Sequence, residues 1–135
     1  KGLMGSKMNS MIESSKYSEY DLIDTLLNKD AKRFLKVSSY LREIDTSLSY
    51  IIFLVNQELE KLYSLIKPTV SKPYIPSFLI AKYTSASKKY TLDELLFLLK
   101  NIASIDIKSK YMARKSNPWT SFNSLFHNLM SKYEG

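Results

Sequence analysis

The sequence predicts an all-α fold, a compact array of about five or six helices that form one domain. The 135 residues include only three glycines and four prolines, so long stretches can run as uninterrupted helix. Apolar residues recur at spacings of three and four, the period of one helix face. A chain of this length with 44% hydrophobic residues is long enough to bury one sizeable core, which indicates a single domain.

The first helix follows a segment of different composition. Residues 1–16 hold two of the three glycines and only scattered apolar residues, so we interpret them as a linker or cloning remnant that is poorly ordered. The helical domain is expected over residues 17–135. Its first helix begins at Ser18, whose hydroxyl can cap the first turn while Asp21 reaches back. The apolar residues of this helix are Leu22, Ile23, Leu26 and Leu27.

The second and third helices are each expected to bury one face. Asn28 and Lys29 interrupt the pattern, and Asp30 is a good N-cap for the second helix. Residues 45–47 supply the next stop and cap, and Pro68 ends the third helix. The apolar positions are Phe34, Val37, Leu41 and Ile44 in the second helix, and Leu48, Ile51, Ile52, Val55, Leu59, Leu62 and Ile66 in the third.

Three further helices follow a connector over residues 69–76. Pro76 suits the first turn of a short fourth helix, and Thr91 with Glu94 forms a capping box for the fifth. Asn117 caps a sixth helix that begins at Pro118. The expected apolar faces are Phe78, Leu79, Ile80 and Tyr83 in the fourth helix, Leu92, Leu95, Leu96, Leu99, Ile102 and Ile105 in the fifth, and Trp119, Phe122, Leu125, Phe126, Leu129 and Tyr133 in the sixth.

The sequence lacks the residue patterns of common enzyme classes. Gly2, Gly5 and Gly135 cannot form a glycine-rich phosphate loop, and the only histidine, His127, lies in the apolar last helix. The lack of cysteine excludes disulfides and thiolate metal sites, and it fits a reducing cytosolic compartment. We therefore expect a cytoplasmic, non-enzymatic chain with no catalytic, cofactor or metal site. No apolar run approaches the roughly 20 residues that cross a bilayer.

Acidic residues in pairs are the remaining candidates for acid–base chemistry or cation binding. The pairs are Asp21 with Asp24, Glu58 with Glu60, and Asp93 with Glu94. Asp21 and Asp93 fall in first turns, where a negative charge complements the helix dipole. Glu58 and Glu60 are expected on the solvent side of the long third helix. A structural role is therefore the preferred interpretation of these carboxylates.

A basic patch near the end of the fifth helix is the best candidate for binding an anion. It consists of Lys108, Lys110, Arg114 and Lys115, with Tyr111 among them. An aromatic face beside a positive groove can stack on a base, and the formal net charge of +7 would assist contact with nucleic acid. Two alternatives stay open. Cations are favoured at any helix C-terminus, and an A+T-rich genome produces Lys-rich sequences without a functional demand.

The order of several short motifs resembles the C-terminal collar domain of the delta subunit of the bacterial DNA polymerase III clamp loader. Residues 20–24 are similar to its aromatic-x-Leu-x-Asp opening, and residues 29–33 to the start of its next helix. Residues 51–65 match its long middle helix. Asp106 and Lys110 match a recurrent pair four residues apart, and Trp119 matches an aromatic residue that opens the last helix. The agreement covers Tyr17 to Met130. The chain departs from the family at Phe34, where alanine is usual, and at Ile44 and Asp45, where a glycine commonly separates the helices.

The resemblance implies an oligomerisation domain that acts in DNA replication. In that family the C-terminal helices of delta, gamma/tau and delta prime join in a circular collar that holds the pentamer together. Contact with the sliding clamp belongs to an N-terminal part that this chain lacks, and DNA contact would be indirect or weak. A free-standing helical nucleic-acid-binding domain, which would use residues 108–115, is the alternative function.

Overall fold

The computed structural model describes residues 16–68, 73–111 and 117–134, and within these ranges it contains six α-helices and no β-strand. The helices are α1 (Glu19–Asn28), α2 (Ala31–Glu43), α3 (Leu48–Ile66), α4 (Ile80–Ser87), α5 (Leu92–Tyr111) and α6 (Pro118–Glu134). The predicted all-α fold is therefore confirmed. The predicted disorder of residues 1–16 lies outside the described residues, except at Lys16, whose backbone N–H donates to the Tyr40 hydroxyl over 3.2 Å.

Side-chain caps at the helix starts explain where α1, α2 and α3 begin. The Asp21 carboxylate accepts from the Ser18 backbone N–H at 2.7 Å. Asp30 accepts from the Arg33 backbone N–H at 3.1 Å, and Ser47 caps α3 in the same way. These bonds satisfy amides that have no partner within the helix. Lys29, directly before Asp30, adopts a left-handed conformation that ends α1.

The α4 region differs from its predicted pattern. Pro76 is followed by a 3-10 turn, Ser77–Leu79, before α4 begins at Ile80. Phe78 is 82% exposed and Ile80 is also exposed, so their predicted burial is wrong, whereas Tyr83 is buried as expected. The 3-10 segment has three residues per turn, so Phe78 does not continue the face of α4 that packs against α3.

Helices α5 and α6 begin where the sequence predicts, but the predicted buried face of α5 is partly wrong. Thr91 and Glu94 form the capping box through reciprocal bonds of 2.9 and 3.0 Å, and Asn117 caps α6. Leu96 is 45% exposed, whereas Leu98 is fully buried. The buried residues of α5 are Leu95, Leu98, Ile102 and Ile105. The run of leucines at the start of α5 allows more than one face at helical spacing, so the sequence alone does not select between them.

The core is continuous across the helices. α3 packs most extensively against α5, while α6 packs against both α2 and α5. An aromatic cluster joins α2 to α6: the Phe34 ring lies 5.9 Å from the Phe122 ring and 5.5 Å from the Phe126 ring. All three rings are fully buried. Ile44, at the end of α2, is exposed rather than in the predicted apolar face.

Candidate interaction surface

One face of α5 stays exposed along the whole helix, although it carries large apolar residues. Leu96 and Ile107 lie on this face, and Ile107 is 58% exposed. Ala103 lies between them at spacings of seven and four, which places the three side chains in one stripe. Phe97 and Tyr111 are exposed beside this stripe, and Tyr111 is 81% exposed. The opposite face of α5 already fills the core, so intramolecular packing does not account for the stripe.

Helix α3 extends the exposed apolar face. Tyr50 and Phe53 are both exposed, and Phe53 is 57% exposed. An open groove of about 340 Å³ lies between the two helices. Its lining residues are Ser49, Ile52, Phe53 and Asn56 from α3, and Ile102, Ala103, Asp106 and Lys110 from α5. We call Tyr50, Phe53, Leu96, Ala103 and Ile107 together the α3/α5 surface. Of these five residues, Phe53 and Ala103 line the groove itself. Exposed apolar patches on a soluble protein can mark interaction sites.

Helix α5 carries three exposed lysines near the α3/α5 surface. Lys100, Lys108 and Lys110 are exposed on α5. Lys110 pairs with Asp106 at 2.9 Å, an i,i+4 contact. Within the described residues, Lys100 and Lys108 have no carboxylate within 4.0 Å. Of the residues in the sequence-predicted basic patch, Lys108 and Lys110 are exposed on α5, whereas Arg114 and Lys115 lie outside the described residues.

The three positions matched to the clamp-loader family have different surroundings. Asp106 and Lys110 form the ion pair at one edge of the groove. Of the Asp106 carboxylate, Oδ2 accepts from Lys110, whereas Oδ1 is buried and has no hydrogen-bond partner in the described part of the chain. Trp119 is half-buried and packs edge-on against Phe122, with ring centroids 5.9 Å apart. Trp119 thus closes the core, and only the Asp–Lys pair borders the candidate surface.

The prediction that Glu58 faces solvent is wrong. Glu58 is buried in α3, where its carboxylate accepts a hydrogen bond from the Tyr83 hydroxyl. The same carboxylate forms an ion pair with the Lys61 ammonium, with 2.9 Å between Oε2 and Nζ. The Lys61 ammonium also lies 5.3 Å from the centre of the Tyr83 ring. Burial of the Tyr83 hydroxyl, together with its bond to Glu58, raises the pKa of Tyr83 well above its usual value. Glu60 is exposed, as expected.

A second buried polar network joins the connection between α1 and α2 to the start of α5. The Lys29 ammonium is buried, donates to the Lys89 carbonyl at 2.8 Å and lies 3.2 Å from the Glu94 carboxylate. It also sits 4.6 Å from the centre of the Tyr90 ring. Burial raises the pKa of Tyr90, and the nearby Glu94 charge adds to this effect. Both networks are satisfied internally, so we assign them to stability rather than to ligand binding.

The described residues offer little else for catalysis or metal binding. His127 is half-buried, with its ring 3.4 Å from the Ser131 hydroxyl. Among residues 16–68, 73–111 and 117–134, no three His, Asp or Glu side chains are placed to hold a metal ion together. No helix in the same ranges is both long and apolar enough to cross a membrane.

A second groove, of about 430 Å³, lies between α5 and α6. Phe97, Leu125 and Leu129 form its apolar wall, with Asp93 and Glu94 at its rim. Glu94 already caps α5 and pairs with Lys29, which leaves the Asp93 carboxylate as the available acidic group. We therefore regard the α3/α5 surface, with its larger set of exposed apolar residues, as the candidate functional site.

Comparison of the chain with protein-family models, with curated proteins and with solved structures finds no match.

Proposed function

We propose that the chain is a non-catalytic helical oligomerisation domain that acts as a collar domain in a DNA polymerase III clamp loader. The observation that carries the proposal is the exposure of Phe53 and Ile107 on neighbouring helices whose opposite faces already fill the core. An exposed apolar surface is costly in water unless a partner covers it. The α3/α5 surface is accordingly the face that meets another subunit.

The resemblance to the delta subunit supports the choice of partner. The matched motifs run in the family's order from residue 20 to Trp119, and the Asp106–Lys110 pair borders the groove. The partners would be the C-terminal helices of gamma/tau and delta prime, in a cytoplasmic complex. Contact with the sliding clamp would be made by other parts of the subunit. In this role the chain binds no nucleotide and holds its neighbours by apolar and polar helix faces.

A nucleic-acid-binding domain is the second candidate. Lys108 and Tyr111 are both exposed at the end of α5, and Tyr111 presents almost its whole ring to solvent. A lysine beside an exposed aromatic ring suits a single strand, because bases stack on the ring while the cation meets the phosphate. The two functions differ in their response to salt. Phosphate contacts weaken steeply as salt rises, whereas an apolar helix interface does not.

The test is the mass of the chain in solution, measured by light scattering after gel filtration. The chain is measured alone and mixed with the C-terminal domains of gamma/tau and of delta prime, at low and at high salt. A stoichiometric complex that survives high salt is the expected result. The proposal fails if the chain stays monomeric with every partner; a steep salt slope of DNA binding would then favour the nucleic-acid domain.

A further inference from the structure

We infer that the α3/α5 surface binds an acidic amphipathic helix of another protein, rather than nucleic acid or a second copy of this chain. The inference rests on the proposed function, since it specifies the chemistry of the partner at that same surface. It depends on the shape of the groove, the size of the residues along it and the charges beside it.

The shape of the surface fits a helix. Leu96 and Ile107, at the two ends of the stripe, are eleven residues apart, which is about 16 Å along the helix axis. A groove between two packed helices accepts the side-chain ridge of a third helix. Ala103 and Phe53 both line this groove. The small side chain of Ala103 lets an incoming backbone approach closely, while Phe53 provides an apolar wall.

The charges along the stripe fit carboxylates on the incoming helix. Between Lys100 and Tyr111 the sequence carries three lysines and one carboxylate, Asp106, which pairs with Lys110. The exposed Asp93 lies three residues before Leu96, at the other end of the stripe. Lys100 lies within the stripe itself, four residues after Leu96 and three before Ala103. Burying its ammonium under a partner would be unfavourable without an opposite charge. Glutamate or aspartate beside the apolar ridge of the partner would supply that charge.

The same lysine argues against self-association. In a two-fold symmetric dimer the same patch lies on both sides of the interface, so residues near the centre of the stripe meet their own copies. Lys100 is near that centre, and the two ammonium groups would repel each other across an apolar contact. The net charge of +7 adds a longer-range repulsion between copies.

Nucleic acid fits the surface less well than a helix does. Most protein contacts to nucleic acid are made to phosphates and sugars by polar and cationic groups. Leu96, Ala103 and Ile107 offer neither, and they occupy the length of the stripe. The features that suit a nucleic acid, Lys108 and Tyr111, lie at one end of it.

The test measures the binding of three fluorescein-labelled synthetic peptides by fluorescence anisotropy. Each peptide is titrated with an excess of the chain. The first is an amphipathic helix with leucines at spacings of three and four and glutamates on both flanks. The second carries lysines in place of the glutamates, and the third scrambles the order of the first. We expect the acidic amphipathic peptide to bind at least about tenfold more tightly than either of the others.

Substitutions locate the binding on the α3/α5 surface. Phe53→Asp should lower the affinity for the acidic peptide by about tenfold or more. Phe78→Asp changes an even more exposed phenylalanine, on the 3-10 turn, and should leave that affinity unchanged. Lys100→Glu should weaken binding of the acidic peptide and strengthen binding of the basic peptide, and a loss of folding would not produce opposite changes in the two affinities. Thermal melts by circular dichroism show that each variant is folded.

Several results would overturn the inference. Equal binding of the acidic and scrambled peptides would show that charge alone attracts them, and an unchanged affinity of Phe53→Asp would place the contact elsewhere. Competition by a single-stranded oligonucleotide at the same site, together with weak peptide binding, would favour nucleic acid. If clamp-loader subunits bind the chain and Phe53→Asp has no effect, the inference fails while the assembly function stands. If the acidic peptide binds as expected and no clamp-loader subunit does, the assembly function fails and the inference stands.

Discussion

At the scale of single residues, two buried tyrosines stabilise the fold through their hydroxyl groups. The Tyr83 hydroxyl donates to the Glu58 carboxylate, and the Tyr90 hydroxyl donates to the Leu26 carbonyl. Burial is the main cause of the raised pKa of both tyrosines, because an interior of low polarity disfavours the phenolate. A carboxylate near each ring, Glu58 or Glu94, adds to the shift.

These pKa shifts predict an alkaline loss of stability. A tyrosine in the unfolded chain ionises near pH 10, whereas Tyr83 and Tyr90 keep their protons to higher pH in the folded state. The folded state then binds more protons than the unfolded state, so the free energy of unfolding falls as the pH rises above about 10. Urea denaturation at a series of pH values measures that fall.

Matched variants assign the effect to the buried ring. Tyr83→Phe should make the alkaline fall in unfolding free energy shallower, while Tyr20→Phe, at an exposed position, should not change it. Glu58 keeps its ion pair with Lys61 in the first variant, so the carboxylate is not left without a partner. An unchanged slope in Tyr83→Phe would contradict the assignment.

The same residues show a limit of sequence reasoning. Glu58 was expected in solvent because a carboxylate in an amphipathic helix is usually exposed. Its partner Tyr83 lies 25 residues away on a different helix, and no local pattern connects the two. Lys29 is a similar case, since its contacts with Lys89 and Glu94 span 60 and 65 residues.

At the scale of helices, starts and stops were largely predictable because capping is local. Asp30, Ser47 and Asn117 each accept a bond from an amide three residues later, as their side chains and positions indicate. The exposed apolar residues were less predictable. Leu96 and Phe78 fit an apolar helical pattern but are exposed, because that pattern does not identify which of several apolar faces meets a neighbour.

Two helix connections contain a residue in the left-handed conformation. We expect glycine at these two positions to have opposite effects on the free energy of unfolding. Lys29 and Asp45 have φ angles of 55° and 60°, a region that glycine adopts without steric cost. Asp45 is exposed, so Asp45→Gly should raise the free energy of unfolding by about 0.5 kcal/mol. Lys29→Gly should lower it, because it removes a buried ammonium together with its contacts to Glu94 and Lys89.

Thermal and urea denaturation of the two variants compare the backbone and side-chain contributions directly. A loss of stability in Asp45→Gly would show that its side chain makes a stabilising contribution that outweighs the backbone cost.

At the scale of the whole molecule, the sequence predicts the fold class but not the arrangement of its helices. Each amphipathic pattern shows that a helix has a neighbour, without showing which one. The packing of α3 on α5 and of α2 on α6 therefore comes from the structure alone. The candidate surface was unpredictable for the same reason, since Phe53 and Ala103 come to line one groove only when α3 and α5 lie side by side.

Of the substitutions considered, we expect the largest loss of stability from one at the contact between α2 and α6. Phe34 is fully buried against the rings of Phe122 and Phe126, which lie 4.9 Å from each other. Phe34→Ala would remove the ring and leave a cavity that two rigid aromatic neighbours cannot fill, so it should cost about 3 to 5 kcal/mol of unfolding free energy. Phe53→Ala removes the same ring from an exposed position and should cost no more than about 0.5 kcal/mol. Urea denaturation of both variants measures the difference. A cost below about 1 kcal/mol for Phe34→Ala would mean that α2 and α6 close up around the smaller alanine side chain.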